Sequence, residues 1–288
     1  MVSLIKRVKG KKEYCVLIHN SGKHQYEKYL GKTVPKDINE VKREFLLSIL
    51  RREWKAGLDG IKKGYLEQPK QLVQEHLREF SFSFTHDTQK IEGSTLTEKE
   101  TFALLRYSLT PGGKPESDMM ETKMHHLTYL KMLGKIPALN KKVVLTWHKE
   151  MFRHTKPTFA GRVRNFQIFV TNTESKFPHW KFVPKFLDEF LEWYKKSERR
   201  IEPVEFAAMA HFRFVSIHPF GDGNGRVSRL LMNYILIKNN CPPLNIRFAD
   251  RRGYYKALEK GQTLLDEIHF LKWFVKYYIK ANKKYHAL

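Results

Sequence analysis

The sequence predicts a mainly α-helical protein with two short β-hairpins, one near the N-terminus and one in the middle of the chain. After residue 38, apolar residues recur at helical spacing in most segments, whereas turn-forming residues separate short apolar runs before that point. The chain has 288 residues, of which 41% are hydrophobic. This is enough for one large domain or two modest ones, and it excludes a wholly disordered chain.

The first elements in chain order are a hairpin and a helical segment. Residues 13–18 and 25–30 are two strand-like runs, separated by the turn-forming segment Asn20-Ser21-Gly22-Lys23. This pattern predicts a β-hairpin, so residues 1–37 are assigned to an N-terminal β-hairpin extension. Residues 38–79 are charged, with apolar residues at helical spacing, and predict a connector of one or two helices.

Residues 80–288 are predicted to form a helical core. Thr97 and Glu100 form a capping box, which predicts that a helix begins there. Between the helices, residues 166–180 favour a second short β-hairpin. Further amphipathic helices are predicted at 143–153, 183–197, 204–216, 226–238, 252–263 and 268–280.

Composition limits the partners and the compartment. Lys and Arg number 53 against 30 Asp and Glu, for a formal net charge of +23. Such a chain favours anionic partners, such as nucleotide phosphates or nucleic acid. Two cysteines are too few for a disulfide framework, and no apolar segment is long enough for a signal peptide or a membrane span. We therefore predict a cytoplasmic protein without a membrane segment.

Polar residues that could take part in catalysis or ligand binding are concentrated at residues 218–229, between two apolar helical runs. Pro219 disfavours the α conformation at His218, so the preceding helix is predicted to end there. The C-terminal end of a helix carries partial negative charge, which favours a protonated imidazole and predicts that His218 is a good proton acceptor. An isolated histidine in this position would more often be structural, but here other polar residues accompany it.

Glycines in the same segment predict an anion site. Gly221, Gly223 and Gly225 permit a positive φ and the close approach of a ligand, and a helix follows them. Backbone N–H groups at such a helix start stabilise a phosphate, and Arg226 and Arg229 add cations on the first turn.

Two other side chains complete the segment. Asp222 is an oxygen ligand suited to a magnesium ion that bridges phosphates, and Asn224 offers an amide. The spacing excludes a Walker P-loop, a dinucleotide-binding fingerprint and a calcium loop.

Residues 218–229 match, at every specified position, the Fic signature His-Pro-Phe-x-Asp/Glu-Gly-Asn-Gly-Arg-x-x-Arg, so the chain resembles the Fic family. The resemblance implies a Fic-type helical core that transfers AMP from ATP to a hydroxyl side chain of a target protein. Glycine rather than lysine at position 225 distinguishes the segment from the related Doc phosphotransferases. The resemblance implies a catalytic base at His218, a magnesium ligand at Asp222, an anion hole at Gly223, Asn224 and Gly225, and phosphate contacts at Arg226 and Arg229.

An upstream motif at 88–93 resembles the family's inhibitory pattern Ser/Thr-x-x-x-Glu-Gly/Asn. Thr88 and Glu92 are four residues apart and share a helix face, and Gly93 is suited to end that helix. The resemblance implies that Glu92 pairs with Arg229 and denies it to the γ-phosphate of ATP. Removal of AMP from a modified side chain is left open as a second activity.

The resemblance also implies a nucleotide-covering flap and an adenine pocket. The second hairpin would be the flap, and the ATP-binding residues expected there are Val170, Thr171, Asn172 and Thr173. The adenine pocket would contain Tyr254, Tyr255 and Gln262. A surface hairpin without a ligand is left open as the lesser alternative to the flap. The two tyrosines could equally pack in the core.

The implied substrate and cofactor are ATP and Mg2+. The implied partners are a target protein with a Ser, Thr or Tyr hydroxyl and the chain itself through automodification, while homo-oligomerisation is left open. The alternative function is a basic nucleic-acid-binding regulator with a vestigial Fic loop, which the net charge of +23 favours. No recognisable nucleic-acid-binding motif supports that alternative.

Overall fold

The structure of the protein, a computed structural model, describes residues 2–134, 136–168 and 175–286. The chain forms two compact units, Met1–Asp59 and Gly60–Leu288. The boundaries predicted after residues 37 and 79 fall inside these units and stay a prediction.

The first unit contains a three-stranded antiparallel sheet in the order β1-β2-β3. Its strands are β1 (Ser3–Lys9), β2 (Lys12–Ser21) and β3 (His24–Gly31). The predicted two-stranded hairpin is therefore incomplete, because β1 adds a strand beside β2. Strand β1 is exposed and rich in charge, as edge strands often are, so it lacks the apolar alternation of a buried strand. Leu17 packs with Phe45 and Ile49 from the helix that follows the sheet.

Ten α-helices lie in the described residues, and short 3-10 turns occur between some of them. The first is α1 (Ile38–Leu66), followed by α2 (Lys70–Ile91), α3 (Glu98–Tyr107), α4 (Glu116–Gly134) and α5 (Lys141–Phe152). The others are α6 (Val183–Ser197), α7 (Pro203–Ile217), α8 (Asn224–Lys238), α9 (Arg251–Thr263) and α10 (Ile268–Ala281). The mainly α prediction is confirmed, and the capping box between Thr97 and Glu100 is present.

Helix α4 was not expected from the sequence. Its interior face includes the polar residues Glu121, Thr122, His125, His126 and Thr128, all buried. A helix that buries polar side chains shows no clear apolar stripe, so its hydrophobic periodicity is weak. This omission matters because α4 packs against α2 and α5 and brings Glu121 to the site described below.

Helices α7 and α8 form the centre of the second unit. They pack against each other and are buried along most of their lengths. Helix α10 packs against α7 and α9, while α2 contacts α8. The connection between α7 and α8 is therefore held on a rigid pair of helices.

The predicted flap falls largely outside the description, because residues 169–174 are not among the described residues. Its described flanks, residues 166–168 and 175–179, form no strand, which differs from the prediction. Arg164 accounts for part of this difference. Its guanidinium donates to the carbonyls of Phe166 at 3.1 Å and Pro178 at 2.7 Å, so these two carbonyls bond to a side chain.

Candidate active site

The connection between α7 and α8 holds His218 in an unusual backbone conformation. His218 ends α7 with φ of 52° and ψ of 60°, in the left-handed region. Helix α7 therefore ends where Pro219 predicts. Arg164 supports the turn, because its Nε donates to the His218 carbonyl at 2.8 Å and its backbone N–H donates to the Pro219 carbonyl at 2.9 Å. A strained backbone that is held in this way is typical of functional sites.

The His218 imidazole is neutral near pH 7. Burial lowers the pKa of His218 to about 4, and Arg164 acts in the same direction. The contact with the Val215 carbonyl in the last turn of α7 does favour a protonated imidazole, as expected, but the loss of hydration outweighs it and the pKa falls. Nδ1 lies 3.3 Å from the Val215 carbonyl, which can only accept, so Nδ1 carries the proton and Nε2 keeps its lone pair. The ring also contacts Phe177, with 4.3 Å between ring centroids.

Two glycines are required by close neighbours. Gly223 has φ of +79°, and a Cβ at this position would overlap the Phe152 ring. A Cβ at Gly225 would overlap the Glu92 carboxylate. The glycines therefore let Phe152 and Glu92 approach the backbone at the start of α8, where the first N–H groups of the helix are available to an anion.

Asn224 clamps the loop through its side chain. Its Oδ1 accepts from the Phe220 N–H and its Nδ2 donates to the Phe220 carbonyl, both at 2.9 Å. The residue is 2% exposed. Its amide side chain is therefore engaged within the loop, and only its backbone N–H remains for the predicted anion hole.

Asp222 is partly exposed and surrounded by cations. Its Oδ2 lies 2.8 Å from Lys156 Nζ, and its Oδ1 accepts from Arg226 Nη2 at 3.2 Å and from the Gly223 N–H. Burial on its own would raise the pKa of Asp222, but the charges of Arg226 and Lys156 lower it to about 2. Asp222 is thus ionised at every pH at which the protein is expected to work.

His148 fixes the backbone of Asp222. Its Nδ1 accepts from the Gly161 N–H at 2.8 Å, so the proton is on Nε2, which donates to the Asp222 carbonyl at 2.9 Å. The ring stacks on Phe220, with centroids 3.8 Å apart. Burial lowers the pKa of His148 to about 4, which keeps this donor and acceptor arrangement at neutral pH.

Arg226, predicted to contact phosphate, is bound by the protein itself. Its Nη1 donates to Glu121 Oε2 and, at 3.2 Å, to Gln89 Oε1. The guanidinium also lies over the Phe152 ring, with its carbon 4.4 Å from the ring centroid. Arg226 is 4% exposed. In this arrangement its side chain holds Asp222 and Glu121 in place.

Arg229 is held by α2 in the way that the upstream motif implies. Its Nη2 donates to Glu92 Oε1 at 2.6 Å and to the Thr88 carbonyl at 3.2 Å, while its Nε donates to Thr88 Oγ1 at 2.6 Å. Burial would lower the pKa of Arg229, but the Glu92 charge outweighs it and raises that pKa. Gly93, with φ of +98°, follows the end of α2. The regulatory role of this contact stays a prediction.

Comparison with known proteins agrees with this geometry. Residues 138–236, which include α7, the loop and most of α8, match the Fic/DOC family. The chain contains a Fic/DOC domain. Residues 218–229 are from here on called the Fic loop.

Relatives with this domain carry names that describe an activity. Protein adenylyltransferase Fic from Nematostella vectensis is 33% identical over 190 residues, which are 64% of this chain and 44% of that protein. Protein adenylyltransferase fic-1 from Caenorhabditis elegans is 30% identical over 213 residues, which are 72% of this chain and 41% of that protein. The matches thus span less than half the length of these relatives.

A solved structure shows the same fold. Fic-1 from C. elegans matches with a TM-score of 0.74 at 25% identity, over 87% of this chain and 77% of that chain. A Fic domain containing signaling protein from Bacteroides thetaiotaomicron matches with a TM-score of 0.70, over 80% of this chain and 95% of that chain. At 23% identity, this match supports a shared fold but not a shared activity.

The three predicted adenine residues all lie on α9, but their side chains have different surroundings. Tyr254 is buried, and its hydroxyl accepts from Arg229 Nη1 at 3.3 Å. Tyr255 is 45% exposed and donates to the Ile91 carbonyl at 3.3 Å. Gln262 lines a cavity of about 660 Å³ and donates to Ser216 Oγ at 3.1 Å. The predicted flap residues Val170, Thr171, Asn172 and Thr173 lie outside the described residues.

Sequence reasoning missed several residues that position the Fic loop: Gln89, Glu121, His148, Lys156 and Arg164. Lone polar residues in amphipathic or irregular segments look like surface residues in a sequence. The available signal for Glu121 was its position in residues 116–134, a segment of 19 residues that follows Pro115 and contains no proline and no glycine before Gly134. Proline before a helix and glycine at its end are common helix boundaries.

Proposed function

We propose that this Fic domain is a protein adenylyltransferase that transfers AMP from ATP to a hydroxyl side chain of a target protein. The relatives named for this activity support the proposal. The observation that carries it is the Fic loop, which combines a neutral His218, an ionised Asp222 and a glycine-rich start of α8. These are a proton acceptor, a metal ligand and an anion site in a single turn.

His218 acts as the general base. Its Nε2 takes the proton of a Ser, Thr or Tyr hydroxyl, and the resulting oxygen attacks the α-phosphorus of ATP, so that pyrophosphate leaves. Nδ1 is bound to the Val215 carbonyl, which fixes the tautomer and aims the lone pair of Nε2 away from α7. A base that is unprotonated at neutral pH accepts a proton without first losing one.

The start of α8 stabilises the negative charge of the phosphates. The first N–H groups of a helix have no partner within the helix, and the glycines let a phosphate approach them closely. Gly223 and Gly225 have no side chain at this point, and one at either position would overlap Phe152 or Glu92. Positioning and charge stabilisation supply most of the rate in phosphoryl chemistry.

Asp222 would hold the Mg2+ that the family implies. Its carboxylate is ionised and its side chain is 41% exposed. In the described ranges, no group of three or more His, Cys, Asp and Glu side chains is arranged around one metal position. This fits Mg2+, which commonly takes one or two carboxylates and completes its octahedron with phosphate oxygens and water. When bound, the ion would neutralise charge on the phosphates.

Glu92 makes the domain autoinhibited. The Glu92 carboxylate and the γ-phosphate of ATP compete for the same donors of Arg229, and the described structure shows the carboxylate in place. AMP removal belongs to the proposal as a second activity, in which Glu92, whose carboxylate lies against Gly225 of the loop, would orient a water toward the AMP-modified side chain.

Location and partners complete the proposal. Among the helices described, none is both long and apolar enough to cross a membrane. The proposed target is a hydroxyl-bearing protein in the cytoplasm, with the chain itself as a second acceptor. Homo-oligomerisation and nucleic-acid binding stay predictions from the sequence.

The test compares His218→Ala with wild type, each with and without Glu92→Gly. We expect labelled AMP from ATP to appear on the chain or on lysate proteins with His218 and to be undetectable without it. His24→Ala, which changes an exposed histidine in β3, serves as the control and should label like wild type. Equal labelling with and without His218 would rule out its role as the base, and no labelling of any protein by any variant would rule out the activity.

A further inference from the structure

The ammonium group of Lys156 contacts the Asp222 oxygen that the proposed metal ion would bind. Lys156 lies in the turn after α5, and its Nζ is 2.8 Å from Asp222 Oδ2 and 2.6 Å from Glu121 Oε1. The backbone N–H of Lys156 donates to the Phe152 carbonyl at 2.8 Å, and its ammonium is 5.2 Å from the centroid of the Phe152 ring. The ammonium thus bridges two carboxylates beside the Fic loop.

Glu121 divides its two oxygens between two cations. Oε2 accepts from Arg226, and Oε1 accepts from Lys156 and, at 2.9 Å, from Thr155 Oγ1. The Glu121 side chain is 10% exposed, so these contacts are largely shielded from water. The Glu121 anchor for Lys156 does not depend on Asp222.

Asp222 is coordinated by cations on both oxygens. Oδ1 accepts from Arg226 and from the Gly223 N–H, while Oδ2 faces Lys156. Mg2+ and Mn2+ bind carboxylate oxygens much more closely than an ammonium does, at about 2.0–2.2 Å, and they carry twice its charge. A divalent cation on Oδ2 would repel the Lys156 ammonium at such short range, so the two cations compete for this oxygen.

Lys156 is able to leave Oδ2. Its side chain is 30% exposed, whereas the side chain of Arg226 is 5% exposed. The longer bond of Lys156 is to Asp222 and the shorter is to Glu121. A small movement of the ammonium therefore frees Oδ2 while the contact with Glu121 is kept.

We propose that Lys156 is a displaceable counter-ion of Asp222, positioned by Glu121, which a divalent cation must push aside in order to bind. The inference rests on the proposed function, since it takes Asp222 as the metal ligand. Free Mg2+ then binds the nucleotide-free protein weakly, and metal binding is favoured when it arrives with the negative charge of ATP. Between reaction cycles, the Lys156 ammonium balances the negative charge of the Asp222 carboxylate and keeps it in position.

The test measures Mn2+ binding to the nucleotide-free protein by electron paramagnetic resonance, with Mn2+ as the probe for Mg2+. We expect Lys156→Met to bind Mn2+ at least about tenfold more tightly than wild type, because the competing charge is removed. Adding Asp222→Asn should abolish the gain. Lys142→Met, which removes the same charge from an exposed position of α5, should bind like wild type.

Unchanged Mn2+ affinity in Lys156→Met, or an equal gain in Lys142→Met, would overturn the inference. A structure of the wild-type protein with ATP and Mn2+ tests it without any variant that could fail to fold. It should show the Lys156 ammonium off Asp222 Oδ2 and still on Glu121, and an ammonium that remains on Oδ2 beside the metal overturns the inference.

Failure of the proposed function gives a different result. If wild-type protein binds Mn2+ at Asp222 but neither binds ATP nor transfers AMP, the activity is wrong while the metal competition stands. If ATP binds and AMP is transferred while Lys156→Met leaves the Mn2+ affinity unchanged, only the counter-ion role is wrong.

Discussion

Two arginines of the Fic loop, one helical turn apart, are held in different ways. Arg226 faces α4, where Glu121 is 10% exposed and is shared with Lys156. Arg229 faces α2, where Glu92 is 24% exposed and lies against the backbone of Gly225. The first pair is enclosed within a network of several charges, whereas the acid of the second pair borders the proposed phosphate site.

The difference separates a structural pair from an exchangeable pair. A buried acid that balances two cations cannot be removed without leaving charge uncompensated. An acid at the edge of a ligand site can be replaced by the ligand, because a phosphate offers the same acceptors to the arginine. Glu121 is therefore expected to maintain the fold of the loop and Glu92 to control access to it.

The largest expected effect concerns the enclosed pair. Glu121→Ala should lower the free energy of unfolding by about 3–5 kcal/mol, because Arg226 and Lys156 lose their common acceptor in a buried site. Chemical denaturation followed by circular dichroism measures this. Glu79→Ala breaks the exposed contact with Arg106 and should have a much smaller effect, because water screens an exposed ion pair. Similar small losses in both variants would show that the Arg226 pair is not structural.

A smaller effect on the free energy of unfolding is expected from His148, which must be neutral to hold the Asp222 backbone. The pKa of His148 is about 4 in the folded protein, below its ordinary value of about 6.5, so the unfolded chain binds the proton first as the pH falls. The free energy of unfolding should therefore decrease as the pH falls from 6.5 to 4. As the pH falls from 7 to 5, this histidine alone should lower the free energy of unfolding by about 2 kcal/mol.

The measurement is denaturation at pH 7 and at pH 5. His148→Gln lacks the titrating group, so it should lose about 2 kcal/mol less than wild type over this interval. His24→Ala, at an exposed position, should lose as much as wild type. The prediction does not survive if wild type and His148→Gln lose the same amount.

The smallest of the three effects in free energy concerns the exchangeable pair. Glu92→Gly should raise AMP transfer by about tenfold or more, equivalent to about 1.4 kcal/mol, because Arg229 becomes free to bind the γ-phosphate. Labelled ATP and the automodified chain provide the measurement. Glu67→Gly, an acid placed after the end of α1, is the matched control and should not activate. If Glu92→Gly transfers AMP no faster than wild type, the autoinhibitory role is wrong.

The local features of the loop were predictable because they depend on neighbouring residues. Pro219 determines where α7 ends, and the glycines indicate where a backbone must approach something closely. Helix α6 was predicted with the bounds that the structure has, 183–197, since its apolar residues lie on one face. The Glu92 contact with Arg229 was expected only through the family resemblance.

Features that depend on burial were not predictable in the same way. The lowered pKa of His218 was not predictable, because a sequence shows the helix end but not the loss of hydration around the ring. Helix α4 was missed because its buried face is polar. In the sequence, Lys156 is indistinguishable from a solvated lysine, and its contact with Asp222 depends on the path of the turn after α5.

The sequence by itself determined the kinds of groups in the loop, their order and the turn that presents them. Only the tertiary structure decided which partner each charge has. Arg226 and Glu121 are 105 positions apart in the chain, and Arg229 and Glu92 are 137 apart, so neither pair is set by local geometry. These contacts exist because α2 packs against α8, while α4 packs against α2 and α5 and brings Glu121 to Arg226 at the start of α8. The packing of buried surfaces is a property of the folded chain as a whole.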